Sequence, residues 1–426
     1  MKRALVLAGG GSKGSYEVGY VKALRELGID YQIVTGTSIG ALNGCLLAQE
    51  DYDALQELWN VLDISHVFAG DFKGNFAFDI DTMLNQSNLM ISFFKTYLKE
   101  KGADITPLKE LLRKLLKEDQ LLSSPIDFGL CTVQYPTLKP FMITKKEMEK
   151  EYILDYLIAS ASCFPVFPIH SFKNMSFIDG GYYDNVPIDL AFDMGADEVI
   201  VVDMHTEPTH KHYLNRPYVT YTSPYVELGS FMDFAKESLE RNKRIGYQTA
   251  MKCFGGYVGV KYTFEKFETP MFHEFYKDVL YLERYMRLSF RSDSKGNLVY
   301  KFMESHKDQP LEENDYLYIM LDWIAEMLDR DPSYVYNFDI FTDDILKDFS
   351  EYIDKDYRMV SFKSSEELMR TFKDINKKGV VGRFLHSMLY PQEHKFDVEK
   401  YMAVFSKELI IARFLYMLYH EKKAIQ

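Results

Sequence analysis

The chain has 426 residues, of which 47% are hydrophobic and 27% are charged. The length predicts two or three domains, and the composition predicts a folded protein and excludes extensive disorder. The formal net charge of −13 excludes a general nucleic-acid binder, because such a protein needs a basic surface.

The first fifty residues alternate between strand and helix patterns. The apolar run Arg3–Ala8 predicts a buried strand and leads into a glycine loop at Gly9–Gly14. Helical spacing follows over Tyr16–Leu27, a second apolar strand over Tyr31–Thr35, and a second helix over Ala41–Gln49. Strands that alternate with helices predict an α/β fold with a parallel sheet.

The same kind of pattern continues to residue 203, after a mainly helical stretch over residues 51–119. The predicted elements are strands at Ile126–Val133, Leu138–Thr144, Met175–Ile178 and Glu198–Asp203, and helices at Lys145–Ser160 and Pro187–Met194. Asp184 and Asn185 precede the last of these helices and are predicted to cap it.

The composition changes after His205. A polar loop is predicted over residues 205–229 and a long helix over Phe231–Met251. Beyond Gly256 the chain is rich in Tyr and Phe and has a helical pattern. We therefore expect residues 1–256 to form one domain and residues 257–426 a mainly α-helical region of unknown role.

A pentapeptide between the second strand and the second helix matches G-x-S-x-G. It consists of Gly36, Thr37, Ser38, Ile39 and Gly40. At a strand-to-helix junction this motif predicts a nucleophile elbow, which exposes the serine hydroxyl at a helix N-terminus. The pentapeptide alone is also compatible with a purely structural turn.

The glycine loop follows the first strand and should emerge at the same sheet edge as the pentapeptide. Successive glycines can turn several backbone N–H groups toward an oxyanion. The candidate oxyanion residues are Gly9, Gly10, Gly11, Ser12, Lys13 and Gly14. Lys13 is interpreted either as an added positive charge or as a solvated surface lysine.

The glycine loop also matches the dinucleotide fingerprint G-x-G-x-x-G. That fingerprint requires an acidic residue at the tip of the second strand, where this chain has Thr35–Ser38. A nucleotide-binding oxidoreductase is therefore the weaker alternative. A phosphate-binding P-loop is excluded, because Lys13 lacks the required flanking residues.

A serine nucleophile needs a base. Asp179 ends a predicted strand and is followed by Gly180 and Gly181, so its carboxylate can reach into a cleft. An ordinary Asx-turn is the alternative interpretation of this Asp-Gly-Gly sequence. By location, His170 and His205 are the other candidate bases.

The motifs together resemble the patatin-like phospholipases, particularly the bacterial members, over residues 1 to about 250. The matching segments, in order, are Gly9–Gly14, Gly36–Gly40, Ala159–Pro168 and Asp179–Gly181. The resemblance implies a three-layer fold with a mostly parallel central sheet. It also implies a glycine-loop oxyanion hole and a Ser38–Asp179 dyad without histidine. Val166 follows Pro165 where the family often has glycine.

The expected function is hydrolysis of carboxylic esters of lipids, whether phospholipid, lysophospholipid or acylglycerol. A non-catalytic lipid-binding module is an alternative. The expected partner is a lipid ester, with no cofactor, metal or nucleic acid. The oligomeric state is left open.

A cytoplasmic location is expected, with transient membrane contact left open. The four cysteines are scattered, and no apolar run approaches the ~20 residues that span a bilayer. Three apolar helical stripes, Leu108–Leu116, Met90–Leu98 and Tyr401–Tyr419, are interpreted mainly as core packing. A lid or membrane contact is the alternative for the first two, whereas for the third core or dimer packing is favoured over membrane contact.

Overall fold

The computed structural model describes residues 1–69, 103–290, 311–353, 375–393, 401 and 404–425. The chain divides into two compact units, Met1–Gly255 and Gly256–Gln426. The predicted apolar stripe Met90–Leu98 lies outside the described residues.

The first unit contains the α/β part of the chain. Its strands are β1 (Arg3–Leu7), β2 (Ile33–Thr37), β3 (Asp127–Tyr135), β4 (Lys139–Thr144), β5 (His170–Phe172), β6 (Met175–Asp179), β7 (Glu198–Val202) and β8 (Val219–Thr222). Its helices are α1 (Ser15–Glu26), α2 (Ile39–Ala48), α3 (Tyr52–Val61), α4 (Ile64–Val67), α5 (Thr106–Leu115), α6 (Glu118–Ser123), α7 (Ile153–Ser160), α8 (Ile188–Asp193) and α9 (Lys236–Cys253).

Within the described residues these eight strands form one sheet, in the order β5-β6-β3-β2-β1-β7-β8, with β4 paired to β3. The pairs β3–β2, β2–β1, β1–β7 and β7–β8 are parallel. The pairs that β6 makes with β3 and β5, and that β4 makes with β3, are antiparallel. The predicted α/β class with a mostly parallel sheet is confirmed.

Helices cover both faces of this sheet, which gives three layers. Phe128 of β3 lies beside Gly44 of α2, whereas the neighbouring Gly129 lies beside Leu190 of α8. Successive strand residues point to opposite faces, so α2 and α8 lie on opposite sides of the sheet. Strand β1 is buried on both faces, with Ala4 to Leu7 fully inaccessible, which explains its uninterrupted apolar sequence.

Two helical glycines allow α1 and α9 to cross at close range. A Cβ on Gly19 would lie 1.8 Å from the carbonyl oxygen of Lys243, and a Cβ on Gly246 would lie 1.9 Å from that of Tyr16. Side chains at either position would force the helices apart. Helix α1 directly follows the glycine loop, so this crossing fixes the element that supports the loop.

Three predicted elements differ from the structure. The helix predicted over Lys145–Ser160 begins only at Ile153, and the Lys145 ammonium instead donates to the main-chain oxygens of Ser124 and Ile126. The loop predicted over residues 205–229 contains strand β8. The helix predicted from Phe231 begins at Lys236.

The second unit is mainly helical and has its own aromatic core. It contains α10 (Met271–Phe290), α11 (Glu313–Met327), α12 (Phe338–Ser350), α13 (Lys377–Leu389) and α14 (Ser406–Ile425), with short strands β9 (Thr263–Phe264) and β10 (Val335–Tyr336). The buried face of α14 is formed by Ile410, Ile411, Phe414, Leu415 and Leu418. This burial supports core packing for the predicted stripe Tyr401–Tyr419.

Candidate active site

Strand pairing brings Ser38 and Asp179 together. Strand β4 occupies one edge of β3. Strands β2 and β6 therefore lie one after the other along the opposite edge of β3 and run toward each other. Thr37 at the end of β2 pairs with Cys131, and Asp179 at the end of β6 pairs with the next residue, Thr132. The residue that follows β2 is Ser38, so the two predicted dyad members meet where the strands end.

Ser38 occupies a strained turn. Its backbone has φ 54° and ψ −124°, outside the regions that residues with a side chain normally adopt. The flanking glycines permit the sharp bend: a Cβ on Gly36 would lie 2.3 Å from the oxygen of Gly40, and one on Gly40 would lie 2.5 Å from that of Ala8. Helix α2 starts at Ile39, so its dipole favours negative charge at Ser38.

Asp179 is a buried carboxyl group, with only 5% of its surface exposed. Its Oδ1 accepts a 2.8 Å hydrogen bond from the amide of Gly181, and Oδ2 has no hydrogen-bond partner among the described residues. Burial raises the pKa of Asp179 from 3.8 to about 6, while the Ser38 hydroxyl and the Gly181 amide act in the opposite direction. The group is therefore a much better proton acceptor than an exposed aspartate.

The end of α7 and the segment that follows it hold both members of this pair in place. The Ser38 amide donates to Oγ of Ser160 at 2.9 Å, and that hydroxyl donates to the carbonyl of Cys131 at 2.7 Å. The Asp179 amide donates to the carbonyl of Ser162 at 2.9 Å. The Ala159–Pro168 segment thus tethers the backbones of nucleophile and carboxylate.

The glycine loop supplies amides beside Ser38. Gly9, Ser12 and Lys13 already donate their amides to backbone carbonyls, whereas those of Gly10 and Gly11 have no acceptor among the described residues. Gly11 has φ 57°, a left-handed conformation that favours glycine. Among the six residues predicted for the oxyanion hole, the amides of Gly10 and Gly11 are thus the ones that remain available, and Gly14 lies inside a short 3-10 helix.

Two residues outside the predicted motifs anchor the loop. Gly9 and Asn185 exchange hydrogen bonds, from the Gly9 amide to the Asn185 carbonyl and from Asn185 Nδ2 to the Gly9 carbonyl, both 3.0 Å long. The carbonyl of Phe231 accepts from the Ser12 amide at 2.8 Å. The prediction that Asp184 and Asn185 cap helix α8 is wrong, because Pro187 occupies the cap position without a side-chain bond.

A buried polar network lies behind the loop. Asn43 of α2 donates to the carbonyl of Gly14 at 3.1 Å and to Oε2 of Glu17 at 2.7 Å, and it accepts from Nε1 of Trp59 at 2.8 Å. Burial raises the pKa of Glu17 well above its ordinary value, which favours the neutral form of this side chain. No pattern in the sequence indicated this network, since an Asn or Glu inside a helical pattern is common.

The other residues proposed for the site differ in whether they reach the cavity that contains Ser38. Lys13 is only 5% exposed and lines the same cavity as Ser38, so its interpretation as a solvated surface lysine is wrong. His170 pairs with Asp155 at 2.8 Å and does not line the cavity, whereas His205 does. Strand pairing places Asp179 beside Ser38, and the Ser38 hydroxyl acts to lower the pKa of Asp179. Asp179 is thus the base candidate next to the nucleophile.

Ser38 and Asp179 open into a cavity of about 510 Å³ within the first unit. Its walls are predominantly apolar and include Leu42, Leu58, Leu62, Val67, Leu108, Phe167, Met204, Phe231, Met232 and Phe234. The volume lies in the usual range for small-molecule sites. Leu108 belongs to the predicted stripe Leu108–Leu116, which packs into the core of the first unit.

Two further properties concern metals and membranes. Within the described ranges, no three His, Cys, Asp or Glu side chains are grouped so as to hold a metal ion. Every helix in the described part of the chain is too short or too polar to cross a lipid bilayer.

Comparison with solved structures gives alignments that span nearly the whole chain at low similarity. VipD from Legionella pneumophila aligns over 98% of this chain and 91% of its own, with 14% identity and a TM-score of 0.40. The type III effector protein ExoU aligns over 96% of this chain and 76% of its own, with 15% identity and a TM-score of 0.34.

Sequence comparison finds relatives that align with about half of the chain. The chain is 28% identical over 200 residues to "Lysophospholipase nte1" of Aspergillus terreus, which covers 47% of this chain and 12% of that protein. It is 28% identical over 204 residues to "Patatin-like phospholipase domain-containing protein 7" of Rattus norvegicus, which covers 47% and 13%. The aligned stretch is thus a small part of each relative. Residues 5–192 match the model of the patatin-like phospholipase family. Over this stretch the chain is therefore similar to the patatin-like phospholipases.

Proposed function

We propose that the protein is a serine acyl hydrolase that cleaves carboxylic esters of lipids. The observation that carries the proposal is the pairing of a strained serine with a buried carboxyl group, in one cavity with two amides that have no acceptor among the described residues. Ser38 is the nucleophile, Asp179 the base, and the amides of Gly10 and Gly11 the oxyanion donors.

The acylation half-reaction begins when Oγ of Ser38 attacks the ester carbonyl carbon. Its proton passes to Asp179, whose Oδ2 carries no competing hydrogen bond from the described residues. The tetrahedral intermediate collapses as the ester C–O bond breaks. Asp179 then returns the proton to the leaving alcohol, and an acyl group remains on Ser38.

Water completes the cycle by the same route in reverse. Asp179 accepts a proton from a water molecule as the water oxygen attacks the acyl carbon. The bond between Ser38 and the acyl group then breaks, and Asp179 returns the proton to Oγ of Ser38. A carboxylate with a pKa near 6 is ionised at pH 7, yet it is closer in basicity to the reacting hydroxyl than an exposed aspartate. This balance supports a dyad without an imidazole.

The oxyanion donors carry much of the expected rate. Loss of one such donor costs about 100–1,000-fold in rate in well-studied hydrolases. Besides Gly10 and Gly11, the amide of Ile39 at the first position of α2 has no acceptor among the described residues. The residue after the nucleophile commonly supplies such a donor at a nucleophile elbow.

The cavity supports a lipid ester as substrate. Its walls combine leucine, methionine and phenylalanine side chains around a polar end formed by Ser38 and the glycine loop. This arrangement fits an acyl chain with its ester at the polar end. The name lysophospholipase carried by one relative is consistent with the same substrate class.

A nucleotide-binding oxidoreductase is less well supported. The tip of β2 continues through Gly36 and Thr37 into Ser38 and provides no carboxylate for a ribose. A non-catalytic lipid-binding module would not require the strained backbone of Ser38 or the raised pKa of Asp179.

The test is hydrolysis of p-nitrophenyl butyrate by purified variants of the full chain. Ser38→Ala and Asp179→Asn are each expected to lower kcat by about 1,000-fold or more, since each removes one half of the reacting pair. Ser171→Ala and Asp193→Asn are matched controls at exposed positions of the same domain. Wild-type turnover by either dyad variant would refute the proposed function.

A further inference from the structure

Asn185 lies between the two loops that carry the proposed reaction. It follows the Asp179–Gly181 turn in the chain, is half-buried and lines the cavity that contains Ser38. A Cβ on Gly9 would lie 2.3 Å from its Oδ1, and a Cβ on Gly181 would lie 3.0 Å from the same atom. The Asn185 side chain thus lies against both the glycine loop and the loop of the dyad carboxylate.

Both neighbours of this side chain belong to the proposed catalytic apparatus. The amide of Gly181 donates to Oδ1 of Asp179 at 2.8 Å. A Cβ on Gly9 would lie 3.2 Å from the Cβ of Ser38, and Gly9 directly precedes the proposed oxyanion donor Gly10. Replacing this side chain would therefore act close to the nucleophile, the base and an oxyanion donor.

One hydrogen bond of Asn185 acts on the peptide unit that carries the Gly10 amide. Nδ2 of Asn185 donates to the carbonyl of Gly9 at 3.0 Å. That carbonyl and the amide of Gly10 belong to one planar trans peptide unit, so a contact that fixes the carbonyl also fixes the N–H group. Because glycines have wide conformational freedom, a peptide unit between two of them needs such a contact to keep one orientation. The Gly10 amide has no acceptor among the described residues and can therefore bind an oxyanion.

The backbone of this segment is held by bonds that do not involve the Asn185 side chain. Two buried hydroxyls of β2 donate to the carbonyls that flank it, Thr37 to Asp184 at 2.8 Å and Thr35 to Pro187 at 2.9 Å. The carbonyl of Asn185 itself accepts a main-chain amide of the glycine loop at 3.0 Å. A substitution at position 185 leaves these bonds in place, so such a variant should keep its fold and lose the bond from Nδ2.

We propose that Asn185 is a positioning residue that aims the Gly10 amide at the oxyanion formed during ester cleavage. Its side chain acts through the Gly9–Gly10 peptide unit and takes no proton. The inference deepens the proposed function and rests on it, since the oxyanion forms only if Ser38 attacks an ester. Without the bond from Nδ2 the Gly10 amide is still present but is no longer held in one direction. The transition state then loses stabilisation, whereas binding of the intact ester changes little.

The test compares p-nitrophenyl butyrate with its thionoester, in which sulfur replaces the carbonyl oxygen. Sulfur is a weak hydrogen-bond acceptor, so oxyanion donors accelerate cleavage of the thionoester much less. Asn185→Leu, which keeps the approximate size of the side chain, and Asn185→Ala are each expected to lower kcat for the ester by about 10- to 100-fold, with KM within about twofold. This loss is smaller than the roughly 100–1,000-fold effect of a missing donor, because the Gly10 amide remains. The ratio of kcat/KM for the ester to that for the thionoester should fall by about tenfold or more.

Both substrates are measured on one preparation of each variant, so the ratio does not depend on the fraction of active protein. The matched control is Asn60→Leu, at an exposed asparagine of α3 that does not line the cavity, and it should leave the ratio unchanged. An equal loss with both substrates would indicate a merely structural role and would overturn the inference, as would an unchanged ester rate in both Asn185 variants. Failure of the proposed function is seen separately, as wild-type ester turnover by Ser38→Ala.

Discussion

Replacement of Asp179 by asparagine is expected to remove activity and to stabilise the protein at neutral pH. Burial raises the pKa of this carboxyl group from 3.8 to about 6. That difference of about 2 pH units corresponds to about 3 kcal/mol. Between these two values the folded state binds more protons than the unfolded state, so the free energy of unfolding falls as the pH rises from about 4 to about 6.

Above about pH 6 the buried charge of Asp179 lowers the free energy of unfolding by its full amount, and an uncharged asparagine avoids this loss. We expect Asp179→Asn to raise the free energy of unfolding by up to about 3 kcal/mol at pH 7.5, with a rise in Tm of roughly 6 °C for a domain of this size. About half of the gain should remain at pH 5, because the carboxyl group is then largely protonated in the folded state alone.

Thermal unfolding followed by circular dichroism at pH 5, 6 and 7.5 measures both effects. Asp193→Asn is the control, since this exposed side chain lies in the same unit. Equal Tm values for wild type and Asp179→Asn at pH 7.5 would refute the reasoning. A stability gain that does not shrink at lower pH would refute the assignment of the gain to the charge of Asp179.

Three further substitutions test the supports of the site. Gly40→Ala places a Cβ 2.5 Å from main-chain oxygens, so we expect it to abolish ester turnover and to lower the Tm; a wild-type Tm would contradict the close approach. Ser160→Ala removes the acceptor of the Ser38 amide, so kcat should fall about tenfold while KM stays within about twofold, as steady-state kinetics can show. Glu17→Gln should leave Tm unchanged between pH 6 and 8, because burial raises the pKa of Glu17 and so favours its neutral form; a pH-dependent loss of stability would argue that it is charged.

The local part of the fold was predictable from the sequence. Apolar runs and glycine positions identified β1, the glycine loop, α1, β2 and the elbow around Ser38, because each depends on residues close together in the chain. The observed boundaries of these elements differ from the predicted ones by only a few residues. Helix α2, for example, starts at Ile39, directly after the strained serine, rather than at the predicted Ala41.

The nonlocal part was not predictable from the same patterns. Asn185 and Phe231 hold the glycine loop through hydrogen bonds to residues 176 or more positions away in the chain, and such bonds have no sequence periodicity. Strand β8 was hidden inside a polar loop, because its Val-Thr-Tyr-Thr sequence is short and only half apolar. The position of Met204 beside Gly10 of the glycine loop likewise depends on the pairing of β7 with β1.

The dyad itself is tested most directly by the rate at which a fluorophosphonate modifies Ser38 as a function of pH. We expect this rate in the wild-type protein to rise with pH through about 6, as Asp179 loses its proton and becomes able to accept one from the serine. In Asp179→Asn the reaction should be slower by orders of magnitude, with no such rise. Modification of Asp179→Asn at the wild-type rate would contradict the account.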